Sequence, residues 1–155
     1  MQSRDSSSDE GHRVDPFNDD MVCFTITVAA RLLTMHLARA LTPLGLAPGQ
    51  VPALLALNAI DGLTQADLAR MTSVEQPTMA LTLRRMERDI LIRRTTDRDD
   101  GRRTRLHLTT KGRDLIGPLQ TARATVDSRA LNAIPAAELD ALVNAISKIV
   151  DNLAE

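Results

Sequence analysis

The sequence contains no tryptophan and no tyrosine, and only two phenylalanines, Phe17 and Phe24. A core built from it is therefore aliphatic, and the chain lacks the aromatic platforms on which single-stranded nucleic acids stack their bases. Cysteine is equally scarce: Cys23 stands alone, which excludes an internal disulfide framework and a multi-cysteine zinc site and fits a reducing compartment. His12, His36 and His107 are far apart in the chain and show no metal-ligand spacing. No phosphate-binding glycine loop and no nucleophile motif is present, so nothing points to an enzyme or to a cofactor. No uninterrupted apolar run reaches the roughly 18 residues of a membrane span, and the opening MQSRDSSSDEGHRVDP has no apolar leader segment. A cytoplasmic location without a membrane partner is expected. The same opening is rich in Ser and Asp and reads as a disordered arm over residues 1–16.

At 155 residues, 43% of them hydrophobic, the chain suffices for one domain with a real core, or for one domain with extra helices for a partner. The net charge of -1 hides a sorting along the chain. Between Arg84 and Arg113 lie eleven Lys and Arg against five Asp and Glu, a local net of +6, so the remainder carries eight against fifteen, or -7. Such sorting suits either a patch that faces a polyanion or a solvated surface of salt bridges.

Apolar residues recur at steps of three and four from about Asn18 to Leu41, through Val22, Ile26, Ala29, Leu33 and Leu37, which predicts one long helix ended by Pro43 and Gly45. A second helix is expected from Pro48 to about Ile60, with Asp61 and Gly62 as its stop. In LTQADLARM, Thr64 can cap a helix with Asp67 as an acidic capping-box partner, while Leu63 and Leu68 occupy the hydrophobic-staple positions. A further helix begins between Ser73 and Glu75, carries Pro77 in its first turn and runs to about Asp89. Two short helices joined by a tight turn form the helix-turn-helix pattern, whose second member enters the major groove of DNA. Met79, Leu83, Met86 and Ile90 share one face of that helix and are assigned to the core. Thr78, Leu81, Thr82 and Arg85 lie elsewhere and would face a groove, although an ordinary amphipathic surface helix has the same pattern.

LIRRT and TRLHL alternate apolar with polar residues and read as two strands around the turn DRDDGR. A β-hairpin directly after a helix-turn-helix makes the unit a winged helix. Arg98, Arg102 and Arg103 cluster at the hairpin tip, where one arginine can enter a minor groove while its neighbours touch the flanking phosphates. The interspersed aspartates would orient the guanidiniums. Beyond the wing, one helix is expected from Thr109 or Thr110 to about Leu131, and a last one opens at Pro135 with Leu139, Leu142, Val143, Ile146, Ile149, Val150 and Leu153 in a stripe. Long striped helices at both ends call for a second copy of the chain, with packing on the chain's own domain as the alternative. The expected fold class is mainly α with a small β-hairpin wing: a winged helix-turn-helix lobe over 48–113, and a dimerisation region over 17–47 and 114–155.

The residues GLTQADLARMTSVEQPTMALTLRRMERDILIRR and DRDDGRRTRLHLTTKG together resemble the MarR family of bacterial winged-helix transcription regulators, over about Leu41 to Leu119. The Asp-x-Arg of Asp100 to Arg102 and the Leu-Thr-x-x-Gly of Leu108 to Gly112 stand in the family's order and spacing. The resemblance implies a homodimer with interleaved terminal helices, whose two lobes grip successive major grooves of a pseudo-palindromic operator in double-stranded DNA at the nucleoid. It implies a repressor that lets go when a small aromatic or apolar effector enters a pocket between the dimerisation region and the lobe. In this chain such a pocket would be lined by Leu, Met, Ala and Val. It further implies Arg102 as the minor-groove arginine, Asp100 as the residue that positions it, and Gln76, Thr78, Thr82 and Arg85 as positions that meet bases or phosphates.

Two positions depart from the family pattern. Family members usually carry glycine where Ile90 stands, and an isoleucine held left-handed is strained, so Ile90 is expected to stay right-handed and join the buried stripe. Leu81 stands where a basic residue is frequent, which either removes a phosphate contact or offers an apolar contact to a thymine methyl. One branch of the family senses organic hydroperoxides through a cysteine in the first helix, as Cys23 is placed. Those sensors hold the thiolate with tyrosines, which this chain lacks, and a small buried apolar thiol is the plainer reading. A winged helix that binds protein in place of DNA is the third reading, separable by its weak dependence on salt.

Overall fold

The computed structural model describes residues 21–154, so the arm expected over residues 1–16 lies outside the described residues. Helix α1 (Val22–Leu41) leads through two short 3-10 turns to α2 (Val51–Ala59), α3 (Gln65–Met71) and α4 (Gln76–Arg88). Strands β1 (Ile92–Thr96) and β2 (Thr104–Leu108) follow, then α5 (Thr110–Asp114), α6 (Ile116–Ala130) and α7 (Ala136–Leu153). The described residues fall into two compact units, 21–32 and 33–154. Val22–Leu44 has the length and mean hydropathy, 1.3, of a membrane-crossing helix despite Arg31 and Arg39; the expectation of no such run holds only for uninterrupted ones.

The lobe is closed by aliphatic packing. Leu41, Leu54, Leu68, Met79, Leu83, Met86, Leu106 and Leu119 are all under 2% exposed and belong to one cluster with Leu46, Ile92 and Ile116. Leu41, Leu46, Ile116 and Leu119 thus join the core of the segment 48–113. Burial of this size is the main stabilising contribution to the lobe.

The strands pair antiparallel, Ile92 opposite Leu108 and Thr96 opposite Thr104. The turn after α2 adds an edge to this hairpin: Leu106 N–H donates to Leu63 O at 2.9 Å and Gly62 N–H donates to Leu106 O at 3.1 Å. The wing is thereby fastened at its base to the loop that precedes α3.

Two expectations need correction. Ile90 is left-handed (φ 59°) and 64% exposed, not part of the buried stripe. The helix end explains this: Leu91 N–H donates to Met86 O at 2.8 Å and Ile90 N–H to Glu87 O at 3.0 Å, the two bonds of a Schellman closure. That closure swings Leu91, 1% exposed, into the place assigned to Ile90. The helix expected to run unbroken from Thr109 or Thr110 to Leu131 is interrupted at Leu115. Pro118 has no N–H to offer the carbonyl of Asp114 four residues back, and its ring crowds that carbonyl, so α5 stops there.

Candidate nucleic-acid interface

Helix α3 starts as its capping box demands. Asp67 N–H donates to Thr64 Oγ1 at 3.2 Å, and the Asp67 carboxylate accepts from Thr64 N–H at 3.1 Å and from Thr64 Oγ1 at 2.7 Å. These hydrogen bonds, the hydroxyl's first, hold the Asp67 carboxyl below its ordinary pKa. Gln65 and Gln76, the first residues of α3 and α4, meet through Gln65 Nε2 donating to Gln76 Oε1 at 3.3 Å. Helix α4 presents Met79, Leu83 and Met86 to the core and leaves Thr78, Leu81 and Arg85 exposed, with Thr82 half-buried. Its C-terminus receives Lys111 Nζ on the Asp89 carbonyl at 2.8 Å.

Among the aspartates expected to orient the arginines, Asp97 organises the wing tip. The Asp97 side chain is 5% exposed, and its Oδ1 accepts from the backbone N–H of Asp99 at 2.8 Å and of Asp100 at 3.3 Å. Its Oδ2 accepts from Arg105 Nε at 2.5 Å, and Arg105 Nη1 donates onward to Gly62 O at 3.0 Å. The Asp99 N–H and then Arg105 keep the Asp97 carboxyl below its usual range. Asp100 accepts from Arg102 backbone N–H at 3.1 Å, while its carboxylate pairs with Arg103 at 3.3 Å, not with the Arg102 guanidinium. Further down the wing, His107 on β2 meets Asp61 and Thr95 at 2.9 Å each.

The cationic segment thus divides in two. Arg88, Arg94, Arg103 and Arg105 each pair with a carboxylate, at Asp89, Glu87, Asp100 and Asp97. The side chains of Arg84, Arg85, Arg93, Arg98 and Arg102 have no hydrogen-bond or ionic partner among the described residues. The paired arginines are built into the lobe, and the unpaired ones are available to an anion.

Two clefts flank this surface. One of about 610 Å³ lies between α3, the start of α4 and the wing, with Thr64, Gln65, Gln76, Arg94, Arg103 and Arg105 on its walls. Another of about 330 Å³ is bounded by Leu46, Gln50, Thr82, Arg85, Arg88 and Asp89. The first is lined mainly by polar and charged side chains, while Gly45, Leu46, Ala47 and Gly49 give the second a more apolar wall. Cys23, on α1 in the opening unit, is exposed and not a buried thiol. Among the described residues no His, Cys, Asp and Glu cluster could hold a metal ion.

The class these features define is a winged helix-turn-helix protein. A model of the MarR family matches residues 44–103, the segment from the first 3-10 turn after α1 to the wing tip. The chain is similar to a MarR-family transcriptional regulator from Silicibacter pomeroyi, with 27% identity and a TM-score of 0.70 over 86% of this chain and 90% of that one. A Listeria monocytogenes protein assigned to the MarR family, solved with a 26-mer DNA, matches at 24% identity and TM-score 0.79, over 86% and 89% of the two chains. BpsR of Bordetella bronchiseptica, whose DNA binding is regulated by 6-hydroxynicotinic acid, matches at 21% identity and TM-score 0.78, over 84% and 93%. By fold this chain is a winged helix-turn-helix protein, and over residues 44–103 it is similar to the MarR family of transcriptional regulators.

Proposed function

We propose that the protein is a homodimeric, sequence-specific binder of double-stranded DNA that represses transcription and is released by a small aromatic or apolar effector. The observation that carries this reading is the set of unpaired guanidiniums on α4 and the wing tip, next to arginines that carboxylates hold in place. Phosphates fix a protein on a duplex through such cations, and base edges are read by the helix in the major groove. In this reading the lobe over 48–113 binds DNA through Gln76, Thr78, Leu81, Thr82 and Arg85 of α4 and through Arg98, Arg102 and Arg103 of the wing, with Asp100 setting the backbone at Arg102. Residues 17–47 and 114–155 dimerise. The DNA complex of the Listeria relative and the ligand control of the Bordetella relative support the two halves of the proposal.

The test is selection of bound sequences from random duplex DNA, followed by titration of the selected site at several salt concentrations. An inverted-repeat consensus with affinity that falls steeply as salt rises is expected. An Arg102→Ala variant should bind about tenfold or more weakly and lose roughly one unit of salt slope per half-site. A salt-independent or absent interaction with duplex DNA, or full binding by Arg102→Ala, would overturn the reading.

A further inference from the structure

We propose that Leu81 is a specificity-determining residue that reads the C5-methyl group of one pyrimidine in each half-site. The inference rests on the DNA-binding reading above and names the base feature that this surface recognises. At about 100° per residue, Leu81 stands roughly 160° from both Met79 and Leu83, so it occupies the part of α4 furthest from the core. It is 49% exposed, at mid-length of a helix whose other leucine and methionine residues, Met79, Leu83 and Met86, are all buried. Its neighbours one turn away are Pro77, Thr78, Arg84 and Arg85, all exposed.

An apolar side chain framed by a hydroxyl and two unpaired guanidiniums suits one kind of partner. An apolar protein surface seated on Leu81 would desolvate Arg84 and Arg85 without neutralising them, which is costly. A DNA major groove offers both matches at once: phosphates along its walls for the arginines, and on its floor a single apolar feature, the C5-methyl of thymine. A leucine neither donates nor accepts hydrogen bonds, so it makes no other discrimination there. The same methyl is carried by 5-methylcytosine, which Leu81 should therefore favour over cytosine at that position.

The experiment uses the unaltered protein and the duplex recovered by selection, with each thymine replaced in turn by deoxyuridine, a change that removes only the methyl group. Burial of one methyl corresponds to about a fourfold affinity difference, so one position per half-site should weaken binding about fourfold while the others stay neutral. Leu81→Ala should weaken binding to thymine-containing DNA by a similar factor and become indifferent to deoxyuridine at that position. Leu81 is half exposed and outside the core, so this variant keeps the lobe folded, which its circular dichroism verifies. Neutral deoxyuridine at every position, or an undiminished deoxyuridine penalty in Leu81→Ala, overturns the proposal while leaving duplex binding intact. Failure to bind any duplex overturns the parent reading instead.

Discussion

Leu54, Leu68, Leu83 and Leu106 of the lobe, with Leu41 and Leu119 packed into the same core, are wholly buried, whereas α7 has no buried residue and exposes Leu142, Val143, Val150 and Leu153. The residue types are the same and the spacing of three and four is the same. What differs is that the lobe folds back on itself through the hairpin and the turn after α2, and so closes its own core. Helix α7, 18 residues long, has nothing comparable over its stripe. An isolated helix of that length is marginal in water, so its stability must come from a surface packed against it. The lobe closes a core with help from Leu41, Leu46, Ile116 and Leu119, whereas the exposed stripe of α7 is the surface that the proposed second copy would cover.

The strongest way to break the contrast is to attack the closure of the lobe. Gly112 is buried under the wing, its N–H donating to Thr109 Oγ1 at 3.1 Å, and a Cβ there would overlap the carbonyl oxygen of Leu91. Backbone has no room to yield, so Gly112→Ala should destabilise the lobe by about 3 kcal/mol or more. Gly117, in the first turn of α6, faces open space, and Gly117→Ala should change stability by no more than about 1 kcal/mol. Urea titration of both variants decides the matter: equal midpoints would show that the close approach at Gly112 does not hold the lobe together.

On the other side of the contrast, Ile146→Glu places a charge in the α7 stripe. If a second copy covers that stripe, self-association should weaken by about a hundredfold, measured by sedimentation equilibrium, because an unpaired carboxylate would be buried in the interface. The lobe's unfolding midpoint at fixed monomer concentration should move little. A dimer of unchanged strength would mean that α7 packs elsewhere.

The local parts of this structure were readable in the chain. The cap at Thr64 and the stripe Met79, Leu83 and Met86 depend on residues within a turn or two of each other, and periodicity with capping chemistry finds them. The Asp97 anchor was not readable. Composition shows aspartates and arginines mixed at the tip, but which carboxylate is buried depends on Arg105 reaching Gly62, 43 residues away. Asp100, expected to position Arg102, accepts from that residue's backbone N–H and pairs with the side chain of Arg103. The break at Leu115 did have a signal, Pro118, which the apolar spacing through the same residues masked.

Ile90 sharpens the contrast from within the lobe, since there an apolar residue stays exposed and strained because its neighbour's burial is worth more. The core position belongs to Leu91, and the left-handed φ of Ile90 is the condition for reaching it. Left-handed backbone costs a β-branched residue about 1–2 kcal/mol, part of which glycine returns as unfolded-state entropy. Ile90→Gly should therefore raise stability by about 1 kcal/mol, seen as a higher unfolding midpoint with an unchanged urea slope. A loss of stability would mean that the exposed isoleucine packs more than its surface suggests.

The smallest effect concerns the wing, the part of the lobe that joins core to surface. Asp97 is held below the usual carboxylate range, so the folded chain takes up its proton at lower pH than the unfolded chain does. Its contribution to stability is then fully present above the unfolded value, about pH 4, and is lost as pH falls through the lower folded value. Asp67 shifts in the same direction at its cap, so the wild-type curve alone does not separate the two. The difference between wild type and Asp97→Asn does: thermal midpoints measured from pH 7 down to pH 2 should lie furthest apart near neutrality and converge below about pH 4. A gap that stays constant to pH 2 would show that Asp97 shapes the wing through packing alone, with its charge contributing nothing.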